Sequence, residues 1–460
     1  MPHTDDDLIR AIRLPTAVLF VVGSVVGSGI FLTTGVMAET LPSTALLLLA
    51  WTLGGLFALA GGLSYAEMGA MFPRSGGVYV FLREAYGPLP AFLYGWVALL
   101  VVISGGIAAV AVGFAEYLSY FLPSVSASNV LMDMTLGGVP VNVSAAQLVA
   151  GGSVLLLGAI NYVGVRSGNM TNAVMTMAKI AGLAALPVLA LFAHRATPDL
   201  APVVPSDLVR PFASFGVAMI AVLWTYEAWY FITYAAGEIE DPKRNVPRAL
   251  AIGVMLLTTI YLSVNVAYFF ALPLDRIRGV TRIAEEAAVA LVGPPGARFV
   301  AATVVVSTFG CNAAAVLAGS RLLFAMSRDG VFFRSASEVH PRFRTPHVAI
   351  VAMTLWSTLL TLSGTYEQLF TYVMFSSVLF SVFGGLALFR LRRLLPHHPR
   401  PYRAWGYPWV PALFVAGSIA FVWNTLVERP FESLAGLGLL ALGLPAYWYW
   451  HQRGTVGRDR

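Results

Sequence analysis

Charged residues are scarce in this sequence, and their scarcity excludes an ordinary soluble fold. Asp, Glu, Lys and Arg make up 11% of the 460 residues, whereas soluble domains contain about 25%. Cysteine is nearly absent, and because Cys311 is the only one, an internal disulfide is excluded. Lysine is equally rare, with Lys179 and Lys243 alone. The mean hydropathy of +0.75 instead indicates a membrane protein.

Long apolar runs dominate the remainder of the chain. A membrane-spanning helix needs about 20 mainly apolar residues. Twelve segments are predicted to span: 15–38, 44–70, 91–122, 145–164, 172–193, 212–236, 248–271, 298–325, 347–363, 367–391, 408–427 and 431–450. The predicted fold class is therefore an all-α protein of 12 transmembrane helices in the lipid bilayer.

Basic residues are distributed unevenly between the two sides of this predicted topology. Most of the 29 Lys and Arg residues fall in the loops that lie on the same side as the amino terminus. Because basic residues are retained in the cytoplasm, the chain is predicted to be a multi-pass cell-membrane protein with both termini cytoplasmic. The net charge of +6 follows this topology and does not indicate nucleic-acid binding.

Motifs for enzymatic or cofactor chemistry are missing. The sequence has no phosphate-binding loop with its lysine, and no strand–turn–helix unit surrounds the glycines at 23–29. The histidines are scattered, and no pair of nucleophile and base is visible. We therefore expect no enzyme activity, no cofactor and no metal site.

A pair of inverted repeats is the architecture that the spans favour, since transporters often place a broken helix at the start of each repeat. We predict repeats at 15–193 and 194–391, peripheral helices at 392–450, and cytoplasmic tails at 1–14 and 451–460. The segment 272–297 is predicted to form an external lid with short helices.

The first span is predicted to be broken. Gly23, Gly27 and Gly29 lie within seven positions, and glycine weakens a helix interior by up to about 1 kcal/mol each. Unwound backbone at membrane depth is tolerated only inside the protein or at a water-filled cavity. The N–H groups of Gly27, Ser28 and Gly29 then suit a carboxylate, and the carbonyls of residues 23–26 suit an ammonium group. The alternative is close helix packing by small residues.

Lys179 lies inside the fifth span, where a charged side chain normally faces the protein interior and has partners. Its expected partners are the freed carbonyls near Gly23 and the hydroxyls of Ser307 and Thr308, in the place where a sodium ion binds in sodium-coupled proteins of this architecture. The alternative is that Lys179 extends to the cytoplasmic interface.

Glu227 is a carboxylate at the centre of the sixth span, where burial demands protonation or a partner. It is expected to carry a proton, select a cationic substrate or pair with Lys179; the alternative is a structural role. The carbonyls of Trp224 and Glu227 suit a substrate ammonium group, and Trp224 and Tyr226 are candidate pocket walls. The loop at 237–248 and Glu67 are candidates for an inner network with Arg74, Arg83 or Arg321.

Several motifs together resemble the amino acid–polyamine–organocation superfamily, and most closely its L-type amino acid transporter (light-chain) family. They are Gly23–Phe31, the run 64–95, the loop 238–247, and the run from Ser307 through His340-Pro341 to Thr345-Pro346. The resemblance implies a LeuT-like 5+5 inverted repeat with broken helices 1 and 6, and sodium-independent exchange of amino acids.

The resemblance also implies roles for individual residues. It places a substrate carboxylate on Ser28 and Gly29, the ammonium near the carbonyls of Val25, Trp224 and Glu227, and Lys179 in the vacated sodium site beside Ser307. Two features differ from the family. The break in helix 6 has Ala228 in place of a glycine and Glu227 where the family usually has a small or different residue, and 123–144 lacks the cysteine that binds a heavy chain. No disulfide-linked heavy chain is expected.

The predicted function is sodium-independent transport of L-amino acids by alternating access, with exchange of small or neutral amino acids as the leading mechanism. One alternative is a proton-coupled symporter, with Glu227 favouring cationic substrates. A non-transport alternative is an amino acid sensor.

Overall fold

The computed structural model describes residues 10–41, 43–136, 139–163, 165–193, 197, 211–363 and 366–456. The first nine residues of the predicted amino-terminal tail, most of the connection 194–210 and the last four residues of the predicted carboxy-terminal tail lie outside these ranges. The helices up to the middle of the chain are α1 (Leu14–Val25), α2 (Gly29–Thr40), α3 (Thr44–Met71), α4 (Val78–Tyr86), α5 (Pro88–Val97), α6 (Ile103–Leu118), α7 (Ala145–Val163), α8 (Val165–Ala193) and α9 (Pro211–Tyr226).

The second half of the chain is equally helical. Its helices are α10 (Pro242–Ala271), α11 (Leu274–Ile277), α12 (Ile283–Val292), α13 (Pro294–Arg328), α14 (His347–Leu360), α15 (Tyr366–Leu394), α16 (Trp409–Glu428) and α17 (Pro430–Val456). A π-helical turn, Ala98–Val102, joins α5 to α6 into one continuous element. Short 3-10 segments at Pro123–Val125, Trp229–Thr233, Ala236–Glu238 and Arg334–Ser337 complete the helical structure.

The spans confirm a multi-pass helical membrane protein. Within the described ranges, ten helices are long and apolar enough to cross a bilayer, and the bent pair α1 and α2 brings the number to eleven. The predicted span 347–363 corresponds to α14, an apolar helix of 14 residues, which is shorter than the roughly 20 that a crossing usually needs. The number twelve and the inverted repeat therefore stay predictions.

One region departs from the all-α prediction. The segment 123–144 contains two antiparallel strands, β1 (Val130–Leu136) and β2 (Val139–Ser144). Their register runs from Val130 opposite Ser144 to Leu136 opposite Val139. Valine at every second position from 139 to 143 fits a strand, a signal that is weak beside the neighbouring spans. The segment 272–297 contains the expected short helices, α11 and α12, and the Gly279 N–H donates to the Gly35 carbonyl in α2 at 3.1 Å.

Glu238, in the loop after α9, forms a fully buried ion pair. Arg321 in α13 donates to Glu238 at 2.7 and 3.4 Å, and both side chains are 1% exposed. The N–H groups of Ala11 and Ile12 also donate to the Glu238 carbonyl, each at 3.0 Å. Glu238 therefore connects three parts of the chain: the amino-terminal segment, the loop after α9, and α13.

The other members of the expected inner network have different partners. Arg83 pairs with Asp329, and Arg74 pairs with Glu84. Glu67 accepts from Arg392 at 2.6 and 2.9 Å and lies 3.3 Å from Arg400. Of the three candidate arginines, Arg321 is therefore the one that binds the loop 237–248, through Glu238, and Glu67 ties α3 to the end of α15 and the segment after it.

Candidate functional site

The first span breaks where its glycines cluster. Helix α1 ends at Val25, α2 begins at Gly29, and the two are bent by 40°. Between them, the Gly27 N–H donates to the Val25 carbonyl at 2.8 Å and the Phe31 N–H to the Ser28 carbonyl at 3.1 Å. Because the first N–H groups of a helix lack intrahelical partners, the start of α2 is positively polarised.

The glycines at this break allow close approach of other helices. A Cβ atom added to Gly29 would lie 2.5 Å from Oγ1 and 3.0 Å from Cα of Thr225. One added to Gly27 would lie 3.2 Å from the Cys311 sulfur. The glycines therefore bring the backbone of the break against α9 and α13.

Lys179 from α8 holds the end of α1. Its side chain is fully buried, and Nζ donates to the carbonyl oxygens of Gly23 and Val26, each at 2.9 Å, and of Ser307 at 3.0 Å. An ammonium group has three donors, and all three are used. The position at the membrane interface is thus excluded for Lys179.

Lys179 donates to neither of the two hydroxyls that were expected to be its partners. Ser307 contributes its carbonyl to the lysine, while its hydroxyl donates to the Val26 carbonyl at 2.9 Å. The Thr308 hydroxyl donates to the Val304 carbonyl of its own helix at 2.8 Å. Thr308 was therefore wrongly expected as a partner: in a helix interior, its hydroxyl is satisfied by the carbonyl one turn earlier.

The second break lies directly after α9. The helix ends at Tyr226, Ala228 has a φ of +73°, and a 3-10 segment begins at Trp229. The Ser24 hydroxyl donates to the Ala228 carbonyl at 3.3 Å. This contact joins the two interrupted helices.

Substitution Ala228→Gly is expected to raise the unfolding temperature slightly. A residue with a Cβ in the left-handed conformation destabilises the folded state by about 1–2 kcal/mol. The greater freedom of glycine in the unfolded chain lowers stability by about 0.4–1 kcal/mol, so the balance favours glycine. Thermal unfolding of the purified protein measures the difference. The control is Ala235→Gly, at an ordinary φ of −92°, which should only destabilise. Equal destabilisation by both variants would contradict strain at Ala228.

Glu227 bonds to hydroxyl groups and not to Lys179. Its Oε1 accepts from the Tyr230 hydroxyl at 2.5 Å and from the Ser377 hydroxyl at 2.6 Å. Lys179 is fully occupied by carbonyls, so the expected ion pair between the two residues is not formed. Tyr230 lies beyond the end of α9, and Ser377 belongs to α15. The sequence alone does not indicate that these two residues contact Glu227.

A cavity of about 50 Å³ lies between the two breaks. Six of the predicted substrate residues line it: Val25, Gly27, Ser28, Gly29, Trp224 and Glu227. Tyr226 does not; its hydroxyl donates to the Trp51 carbonyl at 3.3 Å, on the other side of α9. Several further lining residues were not predicted, namely Ser24, Thr225, Phe231, Cys311, Asn312 and Val373. Their lining positions depend on helix rotations, which a sequence does not specify.

Two of the carbonyls that were expected to receive an ammonium group already have donors. The Val25 carbonyl accepts from the Tyr261 hydroxyl at 3.3 Å as well as from Gly27. The Trp224 carbonyl accepts the Glu227 N–H at 3.1 Å. A carbonyl oxygen has two lone pairs, so the two donors already occupy the Val25 carbonyl.

Comparison with known proteins agrees with this architecture. The family model described as amino acid permease matches residues 12–434. The serine/threonine exchanger SteT of Bacillus subtilis (strain 168) is 30% identical, over 97% of this chain and 98% of its own. The human b(0,+)-type amino acid transporter 1 is 27% identical, over 96% and 88%. The mouse large neutral amino acids transporter small subunit 2 is 28% identical, over 98% and 83%. The chain, with its broken first span and buried lysine, belongs to the amino acid permease family, whose members are transporters and not enzymes.

Proposed function

We propose that this protein exchanges small or neutral amino acids across the cell membrane by alternating access, without sodium. The observation that carries this proposal is the Lys179 ammonium bound to the carbonyls of Gly23, Val26 and Ser307. Carbonyl oxygens at an interrupted helix are the ligands that a sodium ion would take. A fixed positive charge on the same oxygens repels a cation, so the ion is unnecessary.

The break between α1 and α2 supports binding of an amino acid's charged ends. A carboxylate at the start of α2 would accept from the N–H groups of Ser28 and Gly29 and gain from the helix dipole. The ammonium group would donate to the carbonyls of Trp224 and Glu227 across the cavity, because the Val25 carbonyl already has two donors. Alternating access would follow if the first, second, sixth and seventh spans rock against the third, fourth, eighth and ninth.

The size of the cavity supports a small substrate. A single water needs about 10–15 Å³ of such volume, so a cavity of about 50 Å³ has room for about four water-sized groups and favours a small side chain over a large one. The name of the Bacillus subtilis relative, a serine/threonine exchanger, agrees with small side chains. A long cationic side chain would require the walls to move apart.

The proposed architecture has twelve spans, with α14 as the ninth. The breaks after Val25 and Tyr226 support inverted repeats at 15–193 and 194–391, since each break would fall in the first helix of a repeat. The basic loops support cytoplasmic termini. The single cysteine, Cys311, is 6% exposed within α13, so a disulfide to a heavy chain is not part of this proposal.

Proteoliposomes test the proposal. Uptake of labelled alanine or serine should require internal unlabelled amino acid and should continue when choline replaces sodium. Uptake into empty vesicles that follows an inward proton gradient would favour symport instead. Ligand-induced thermal stabilisation with no flux under any condition would favour the sensor.

Symport is the second candidate because Glu227 lines the cavity and its Oε1 binds two hydroxyls. Substitution Glu227→Gln keeps the shape and the acceptor oxygen but removes the titratable group. We expect exchange to continue while its dependence on pH or its substrate preference changes, as measured by flux between pH 5 and 8. Glu338→Gln, at an exposed position, is the control. A profile and a preference identical to the wild type would leave Glu227 a structural role only.

A further inference from the structure

Asn312 is a buried amide in the cavity wall, and it has no role in binding the carboxylate or the ammonium group of the substrate. It lies in α13, next to Cys311, and lines the cavity together with residues of the helix break. Its side chain is 1% exposed. The cavity wall around it comes from α6 and α13, and it is mainly apolar, with Ile103 and Ile107 among its members.

The orientation of the Asn312 amide is fixed by one hydrogen bond. Its Nδ2 donates to the Ile107 carbonyl at 3.1 Å. The reversed amide would place two acceptor oxygens against each other, so the hydrogen bond assigns the nitrogen and the oxygen. Oδ1 is therefore the other polar atom of the group, and it is buried without a hydrogen-bond donor among the described residues.

A buried acceptor without a donor destabilises a protein unless water or a ligand supplies one. The other polar side chains of the wall are already engaged. Ser24 donates to the Val21 and Ala228 carbonyls, Thr225 to the Ala221 carbonyl, and Glu227 accepts two hydroxyls. Asn312 Oδ1 is thus the cavity-wall side-chain atom that most needs a donor from the substrate.

We propose that Asn312 selects amino acids whose short side chain carries a hydroxyl group, by accepting a hydrogen bond from that hydroxyl at Oδ1. This inference rests on the proposed function, in which the α-carboxylate and α-ammonium occupy the two helix breaks. The side chain is then left for the wall formed by α6 and α13. Serine and threonine carry a hydroxyl group that can donate to Oδ1, whereas alanine and valine, which are similar in size, leave Oδ1 unpaired.

The ratio of transport efficiencies for serine and alanine tests this role. The wild type should favour serine over alanine by at least about tenfold in kcat/KM, because a site that is built around a hydrogen bond discriminates against an analogue without it. In Asn312→Leu, which has a similar volume and no acceptor, the ratio should fall to within about threefold while alanine uptake persists. Threonine against valine should behave in the same way.

Asn161 provides the matched control. It is also a buried asparagine, 5% exposed, and its Nδ2 donates to the Leu157 carbonyl at 3.0 Å and the Ala313 carbonyl of α13 at 3.4 Å, but it does not line the cavity. Asn161→Leu should lower stability and leave the serine-to-alanine ratio unchanged. Asn312→Ala, which is smaller than asparagine and cannot clash with the cavity wall, is the second variant.

Three results would overturn the role of Asn312. They are a wild type that takes serine and alanine equally, an Asn312→Leu or Asn312→Ala variant that keeps the wild-type ratio, and an Asn161→Leu variant that loses the ratio to the same degree. Failure of the proposed function is distinguishable, because exchange of alanine by the wild type does not depend on selection of a hydroxyl. Absence of flux for every amino acid would reject the transporter and not the selectivity alone.

Discussion

Lys179→Ala should lower amino acid exchange at least about tenfold. The substitution removes three hydrogen bonds from an ammonium group, to Gly23, Val26 and Ser307, and bonds to charged groups contribute about 1.5–3 kcal/mol each. It also leaves buried carbonyls at the end of α1 with fewer donors. The end of α1 would then lose its attachment to α8 and α13. The backbone groups at the first break would no longer be held in position to bind the substrate.

The chain supplies its own control for this substitution. Lys243, the other lysine, is exposed at the start of α10, so Lys243→Ala makes the same chemical change without touching the cavity. Initial rates in amino-acid-loaded vesicles should separate the two variants when surface amounts are matched. Wild-type rates in Lys179→Ala would remove the lysine from the mechanism and would withdraw the argument for sodium independence.

Two features could be predicted from the sequence: the break in the first span and the burial of Lys179. Both depend on residues that are unusual inside a membrane helix, clustered glycines and a lysine. Glycines at 23, 27 and 29 weaken the helix within two turns, and the structure ends α1 at Val25. A lysine inside an apolar run needs acceptors, and the nearest unused acceptors are the carbonyls that the break frees. Local composition and the cost of unsatisfied polar groups were sufficient for both inferences.

The second break shows where such inference stops. Its residue with positive φ is Ala228, and alanine is the best helix former, so propensity predicts continuity. The contact from Ser24 to the Ala228 carbonyl joins residues that are far apart in the chain. Tertiary contact therefore fixes this backbone, and it was anticipated by the pattern of inverted repeats and by the resemblance to a family with a broken sixth helix, not by local propensity.

Side-chain direction was the least predictable property. Tyr226 and Glu227 are adjacent, yet Glu227 lines the cavity and Tyr226 turns towards Trp51. A helix places neighbours about 100° apart, and the absolute rotation depends on packing with every other helix. For the same reason the unpaired oxygen of Asn312 emerged only from the structure.

Gly29→Ala should stop transport almost completely. The added methyl group would lie 2.5 Å from the Thr225 hydroxyl oxygen and 3.0 Å from the Thr225 Cα, closer than carbon and oxygen atoms approach without displacement. Part of that surface is backbone, which cannot rotate away, so α2 and α9 must separate. The expected result is loss of exchange with residual expression, measured by flux per folded transporter after size-exclusion chromatography.

If a steric clash with Thr225 causes the loss of transport, two further variants should show it. Their transport rates distinguish this clash from a general intolerance of glycine substitution. Gly62→Ala, whose new methyl group would meet its nearest neighbour at 3.7 Å, should transport nearly as well as the wild type, because that distance is ordinary van der Waals contact. In the Gly29→Ala background, Thr225→Ala should restore part of the flux, since it removes the oxygen that lies closest while the Thr225 Cα remains. If Gly29→Ala alone transports normally, the two breaks do not need this close approach, and the N–H groups at the start of α2 lose the geometry on which binding of a carboxylate depends.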